Sequence, residues 1–391
     1  VTNNPLTLRE GDPPRLVELR RSVADALAVA SGIQVTPTDR PGWWFVAPGT
    51  QVGVVSVDAL QVVIQPKIGI GRLVFLMGYA RNPKFWRDDR VLLDPDADLP
   101  AALADAFVRL ARRALDQGLL KGYVTVDESL PVLRGRIREA DQLRRRWGRA
   151  IPLEVRYDDH TVDIAENQVL RAAAERLLRM RQVGDWHRSA LRRLRLQLAD
   201  VTAPVRGGVR PSWTPSRLNA RYIPALEIAE LILSGRSFEQ RVGDVVVSGY
   251  LVNIASVFED FVTVALREAL KSYGGRSSLQ HRTFLDEEEG IPIRPDFVWF
   301  EHGRPRIVTD AKYKAEKPAG FPQADWYQML AYCTALGLPV GHLVYAKGFE
   351  DAQEHVVRNA GVRIIAHTVD LDAEPAALLH AMAELARGAV T

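Results

Sequence analysis

The spacing of apolar residues divides the chain into stretches of helical period and stretches of period two. Leu16, Leu19, Val23 and Leu27 recur at helical spacing and predict a helix over residues 14–30. From Trp43 the period changes to two, so 43–46, 52–57 and 60–64 read as strands, the last two forming a hairpin closed by Pro66 and Lys67. Helices follow over 72–79, over 99–118 with Gly118 as the stop, and over 165–180, 189–198 and 223–234. Between them, 122–126 and 133–137 are short extended pieces. The Asp-rich stretch 157–163 reads as turn and cap chemistry, and 235–249 as a Gly-containing junction. A helix then begins near Val257. Strands are predicted up to Asp310, then a helix over 326–332 and a strand over 341–346. Edge strands over 354–357 and 362–367 and a closing helix over 374–387 end the chain.

Composition narrows what this pattern can do. At 391 residues, 47% apolar and 25% charged, the chain has material for two or three ordinary globular domains. A net charge of only +3 means that a nucleic-acid role must be argued from local patches. The strongest patch is 134–149, with seven arginines against two acids; it is either a solvated face or a surface for phosphates or a partner. One cysteine, Cys333, excludes an intramolecular disulfide framework. With no run of eighteen apolar residues and no basic-then-apolar leader, the expected setting is the cytoplasm, away from membranes. Gly69-Ile70-Gly71 lacks the Gly-Lys-Ser/Thr ending of a phosphate-binding loop, and no Walker A pattern occurs, so no NTPase activity is expected of this chain. His160, with Asp158, Asp159 and Asp163 but no second histidine or cysteine nearby, reads as turn chemistry and not as a metal site.

Candidate chemistry concentrates near the C-terminal end. Arg294-Pro295-Asp296 and Asp310-Ala311-Lys312 read as parts of two neighbouring strands, with a turn at His302-Gly303 between them. Residues two apart on a strand share a face, so Asp310 and Lys312 project together and Asp296 can meet them. Two carboxylates suit a hard cation such as Mg²⁺, with Mn²⁺ as a substitute, and the carbonyl of Ala311 adds an oxygen. A neighbouring lysine can act on the attacking water and offset charge on a phosphate. This is the arrangement of a PD-(D/E)xK nuclease. Glu259, on the preceding helix, is a further candidate catalytic carboxylate. Gln328 and Tyr332 stand at i, i+4 on the following helix and are expected to position the metal site or the DNA backbone. Lys314 shares the strand face of Lys312 and is a candidate phosphate contact.

Several segments together resemble the McrC family, the nuclease subunits of McrBC-type, modification-dependent (5-methylcytosine) restriction systems. They are Gly53-Val54-Val55 with Pro66-Lys67-Ile68, Gly118-Leu119 with Tyr123, and Leu133-Arg134-Gly135-Arg136. Tyr157-Asp158 with Thr161-Val162-Asp163 and Glu166-Asn167 follow, then Phe258-Glu259 with Phe261-Val262, and Arg294-Pro295-Asp296. Asp310-Ala311-Lys312-Tyr313-Lys314 and Tyr327-Gln328-Met329-Leu330 complete the set. The resemblance implies a multidomain α/β protein: an N-terminal α+β region over 1–130 that binds and stimulates an AAA+ partner, a mostly helical basic linker over 131–240, and a PD-(D/E)xK endonuclease core over 241–391. It implies a hexameric McrB-like GTPase as partner, with GTP acting only through that subunit, double-stranded modified DNA as substrate, Mg²⁺ as cofactor, and self-association of the nuclease domain. Lys67, Arg134 and Arg136 are candidate partner contacts. Two other readings remain open from the residues: a stand-alone RecB-like exonuclease, which shares the Gln-x-x-x-Tyr helix, and a non-cutting adaptor that activates an AAA+ motor.

Overall fold

A computed structural model of the protein describes residues 5–29, 32–58, 60–87, 98–180, 182–203, 211–242, 245–313, 323–346 and 353–390. The first elements are β1 (Leu6–Arg9), β2 (Arg15–Glu18), α1 (Arg21–Val29), β3 (Ile33–Pro37), β4 (Trp43–Pro48), β5 (Gln51–Val57) and β6 (Leu60–Gln65). Helices α2 (Ile70–Arg81), α3 (Pro83–Trp86) and α4 (Leu99–Leu115) follow, then β7 (Gly122–Leu130), β8 (Arg136–Ile137), α5 (Glu139–Arg146) and β9 (Leu153–Thr161). Next come α6 (Ala165–Arg179), α7 (Asp185–Gln197), α8 (Ile223–Ser234), β10 (Arg236–Val242), β11 (Val245–Asn253) and α9 (Ile254–Leu270). The remainder is β12 (Arg276–Leu279), β13 (Thr283–Phe284), β14 (Pro292–Ile293), β15 (Phe297–Glu301), β16 (Arg304–Lys312) and α10 (Gln323–Leu336), then β17 (Val340–Ala346), β18 (Gln353–Val356), β19 (Arg363–Val369) and α11 (Pro375–Val390). This is a mixed α/β fold.

Two compact units emerge, one of residues 1–102 with 235–391 and one of 103–234. They differ from the expected division at 130 and 240. The reason is strand pairing: the expected junction 235–249 is largely the hairpin β10–β11, and β11 pairs antiparallel with β5. The resulting sheet, in the order β1-β6-β5-β11-β10, joins chain separated by some two hundred residues, which no local pattern can announce. Likewise, the 14–30 helix is β2 followed by α1, with Leu16 exposed on the strand and Val23 and Leu27 buried on the helix.

The 103–234 unit is less purely helical than expected. Strands β7, β9 and β8 form its sheet, and 157–161, read as turn chemistry, is the second half of β9. Asp163 does behave as a cap-type acceptor, taking hydrogen bonds from Gln168 and Thr202. The Glu166-Asn167 pair is structural too. Asn167 Nδ2 donates to the carbonyls of Leu120 and Val162 at 2.9 and 2.7 Å, and Glu166 accepts from Asn219 at 2.8 Å.

In the other unit a second sheet runs β12-β15-β16-β17-β19-β18. Its centre is parallel, β16 to β17 to β19, and buried. Val308 and Leu343 pack against Met329, Tyr332 and Cys333 of α10 on one face. Helix α9, capped at Asn253 whose side chain accepts from the N–H of Ala255 and Ser256, packs with α11 and contacts β16 from the opposite face. Among the described residues no helix is long and apolar enough to cross a membrane.

His342 on β17 and His367 on β19 stack on the α9 side of this sheet, with Nδ1 and Nε2 3.0 Å apart. Burial above all pushes His342 down to about 3 and His367 down to about 4. Both imidazoles are therefore neutral in the fold, while the unfolded chain takes up protons near about pH 6.5. Their contribution is whole above that value and is lost as pH falls toward the folded values. Tm is expected to fall over this acid window, and less steeply in a His342→Asn/His367→Asn variant. Equal slopes for the two proteins would refute the assignment.

Candidate active site

The hairpin β15–β16 builds the site. His302 and Gly303 both have positive φ, 51° and 79°, as a tight two-residue turn between right-twisted strands requires. A register shift between Trp299 and Phe300 leaves Arg306 without an opposite residue, and the ladder then pairs Phe297 with Thr309. One step further, Asp296 lies opposite Asp310. The bulge thus brings the two carboxylates to the same face, because a one-residue slip would turn Asp310 to the other side.

Asp296 Oδ2 accepts the backbone N–H of Ala311 at 2.9 Å, and its Oδ1 accepts from Gln280 Nε2 at 3.0 Å. The same Gln280 Nε2 donates to Glu259 Oε1 on α9. Lys312 Nζ forms an ion pair with Asp310 Oδ2. Both groups are largely buried, and Lys312 is the only cation in contact with Asp310 among the described residues. Tyr332 on α10 donates to the carbonyl of Arg294 at 3.3 Å, holding the segment that leads into Asp296.

Charge crowding follows from the geometry. Asp310 is 2% exposed, and burial first, then the Asp296 carboxylate, pushes it up to about 7 against the lowering effect of Lys312. Burial also raises Asp296, with the Ala311 N–H pulling the other way, and it raises Glu259. For Lys312, burial favours the neutral amine, but Asp310 outweighs it and the net shift is upward, toward the ammonium. Three carboxyl groups against one cation form a site short of positive charge.

The donor set fits a hard cation held by two carboxylates, with water in its other positions. Among the described residues no group of three or more His, Cys, Asp or Glu side chains is already gathered as a metal cage. The opposition of the buried Asp296 and Asp310 carboxyl groups, with Lys312 as the only cation in contact with Asp310 among the described residues, is the observation that favours a metal here.

Asp296, Asp310, Ala311, Lys312, Glu259 and Tyr332 are thus brought together, with Gln328 exposed on α10 one turn from Tyr332. Lys314 lies outside the described residues. Lys67 sits elsewhere in this unit: it lines a cavity of about 390 Å³ with Arg9 and Asp98, and its backbone is held by Arg9 and Glu10. Arg134 and Arg136 belong to the 103–234 unit. Arg134 pairs with Asp159 at 2.6 Å and stacks on Tyr157, while Arg138, Arg144, Arg145 and Arg146 pair with Asp127, Asp141 or Glu154. Five of the seven arginines are thus paired with carboxylates. Sequence reasoning missed Gln280 and Asp325, a buried carboxylate that accepts from Tyr345 at 2.9 Å. Neither belongs to a recognisable spacing.

Against known proteins, the family described as McrBC 5-methylcytosine restriction system component matches residues 46–346. No curated protein matches. A chain of the solved assembly of Thermococcus gammatolerans McrB AAA+ hexamers with bound McrC is similar in fold, with a TM-score of 0.59 at 17% identity over 98% of this chain and 100% of that one. A chain of the Thermococcus gammatolerans McrBC complex aligns at a TM-score of 0.41 and 20% identity, over 68% of this chain and 88% of that one.

Proposed function

This chain belongs to the family of McrBC 5-methylcytosine restriction system components, and from that premise we propose that it is the endonuclease subunit of such a system, acting on double-stranded modified DNA with an McrB-like AAA+ GTPase. The observation that carries the nuclease reading is the opposition of Asp296 and Asp310 beside Lys312 on one sheet face. The helix, hairpin, helix, strand order around it suits a PD-(D/E)xK core.

Asp296 and Asp310 would hold Mg²⁺, assisted by the Ala311 carbonyl. When bound, Mg²⁺ supplies a Lewis acid for a phosphodiester oxygen and lowers the pKa of a coordinated water. Lys312, beside Asp310, acts on the attacking water and offsets charge on the phosphate. Glu259 shares the hydrogen-bonded carboxyl cluster and helps set its charge. Tyr332 steadies the strand before Asp296, and Gln328, exposed one turn away, faces the approaching backbone.

The partner reading has its own support in the 103–234 unit. Tyr123, Val132, Leu133, Leu143, Trp147 and Ile151 are all exposed around the sheet β7-β9-β8 and α5, Trp147 to 83%. An apolar patch with arginines at its border is what a protein interface looks like before assembly. Arg134 and Arg136 lie within this region.

The test is GTP hydrolysis and plasmid cleavage by the cognate AAA+ protein in Mg²⁺, with and without this chain. Faster hydrolysis, with cutting only when both proteins and modified DNA are present, is the expected result. Cutting by this chain alone with an unchanged GTPase would favour a stand-alone nuclease. Stimulation without cutting would leave an adaptor.

A further inference from the structure

Among the described residues, Gln280 is the neutral side chain that hydrogen-bonds to two of the clustered carboxyl groups. It follows β12, just past the last regular pair, Leu279 with Phe297. Its backbone N–H donates to the carbonyl of Asp296 at 2.7 Å, and the next N–H, of His281, donates to Pro295 at 2.9 Å. Its φ is +49°, the left-handed region that a residue with a Cβ occupies at a cost of roughly 1 kcal/mol. A glycine would adopt this conformation freely. A glutamine stands there instead, with its amide on Asp296 Oδ1 and on Glu259 Oε1.

We infer that Gln280 is a positioning residue, which fixes the Asp296 and Glu259 carboxyl groups in one geometry for the divalent cation. An amide NH₂ has two hydrogens and no charge. It can therefore satisfy one oxygen on each of two carboxylates at once, which a lysine could do only by cancelling the negative charge that attracts the metal. The other oxygen of Asp296 is anchored by the Ala311 N–H, so both of its oxygens are directed. Without the amide, Glu259 on α9 and Asp296 ahead of β15 are held by separate elements, and like charges drive them apart. Groups that orient metal-binding carboxylates in this way typically contribute 10–100-fold to affinity or rate.

This inference rests on the metal-dependent nuclease reading, and two substitutions separate it from a plain structural role. Gln280→Gly removes the amide but relieves the left-handed strain, so its Tm is expected to fall less than that of Gln280→Ala. Mn²⁺ binding to the full chain, measured by calorimetry without DNA, should nonetheless weaken by about 10-fold or more. Partner-dependent cleavage should lose kcat by a similar factor, with KM for DNA unchanged. Gln280→Ala should show the same metal and kcat losses with a lower Tm. Wild-type Mn²⁺ affinity in Gln280→Gly, alongside an Asp310→Ala control that no longer binds Mn²⁺, would overturn the role of Gln280 and leave the nuclease site standing. If neither wild type nor any variant binds Mn²⁺, and Asp310→Ala still cuts, both readings fall.

Discussion

Lys312→Ala is expected to lower partner-dependent DNA cleavage by about 10²–10⁴-fold while the chain stays folded. The ammonium is the only cation in contact with Asp310 among the described residues, and the proposed mechanism uses it to offset charge on the phosphate. Removing one partner of a buried ion pair ordinarily costs about 3–5 kcal/mol, because the other charge is stranded. Here Asp310 has an escape. Its carboxyl is already pushed up to about 7 by burial and by Asp296, so without Lys312 it takes a proton and ceases to be a buried charge. The variant should therefore melt close to wild type at mildly acidic pH and fall behind as the solution becomes alkaline. Plasmid cleavage with the partner, read beside thermal melts at both pH values, checks this. Cutting at the wild-type rate would remove Lys312 from the site.

Gly53→Ala is expected to destabilise the unit of residues 1–102 and 235–391 by about 3 kcal/mol or more. Gly53 is the middle of β5, paired with Ile64 of β6 on one side and Leu251 of β11 on the other. Its φ is +133°, and a Cβ there would stand 2.1 Å from the Tyr250 carbonyl oxygen, a backbone atom that cannot swing aside. The strands must separate or the residue must abandon its conformation. Either change disrupts the pairing of β11, which joins the two stretches of chain in this unit. Against a total stability of about 5–15 kcal/mol, such a loss is severe. Gly71→Ala is the control. It lies in the first turn of α2 with nothing within 4 Å of its Cβ position, and should be neutral or slightly stabilising. Urea unfolding of the two variants tests the contrast, and equal midpoints would contradict the strand crossing at Gly53.

Much of the site could be read locally. Asp310 and Lys312 share a face because strand side chains alternate, and that holds wherever the strand is placed. The His302-Gly303 turn and the helix carrying Tyr332 are likewise matters of local conformation and period. The family segments proved to be of two kinds. Glu166 and Asn167 hydrogen-bond within their own unit, whereas Asp310, Ala311 and Lys312 meet at the carboxylate cluster. A motif marks a requirement without saying whether it is architectural or chemical.

The sequence by itself determined the period of most elements, the apolar faces they bury and the pairing of Asp310 with Lys312, because each depends on residues a few positions apart. Tertiary structure alone decided three things. The bulge at Arg306 set the register that opposes Asp296 to Asp310, and a register is a property of two strands together. The pairing of β11 with β5 merged the N-terminal sheet with the chain that carries the site, through hydrogen bonds between backbone groups that carry no residue signature. Gln280 reached Glu259 and Asp296 across intervals of 21 and 16 residues, since a left-handed backbone position and a helix from elsewhere in the chain meet only after the sheet has folded.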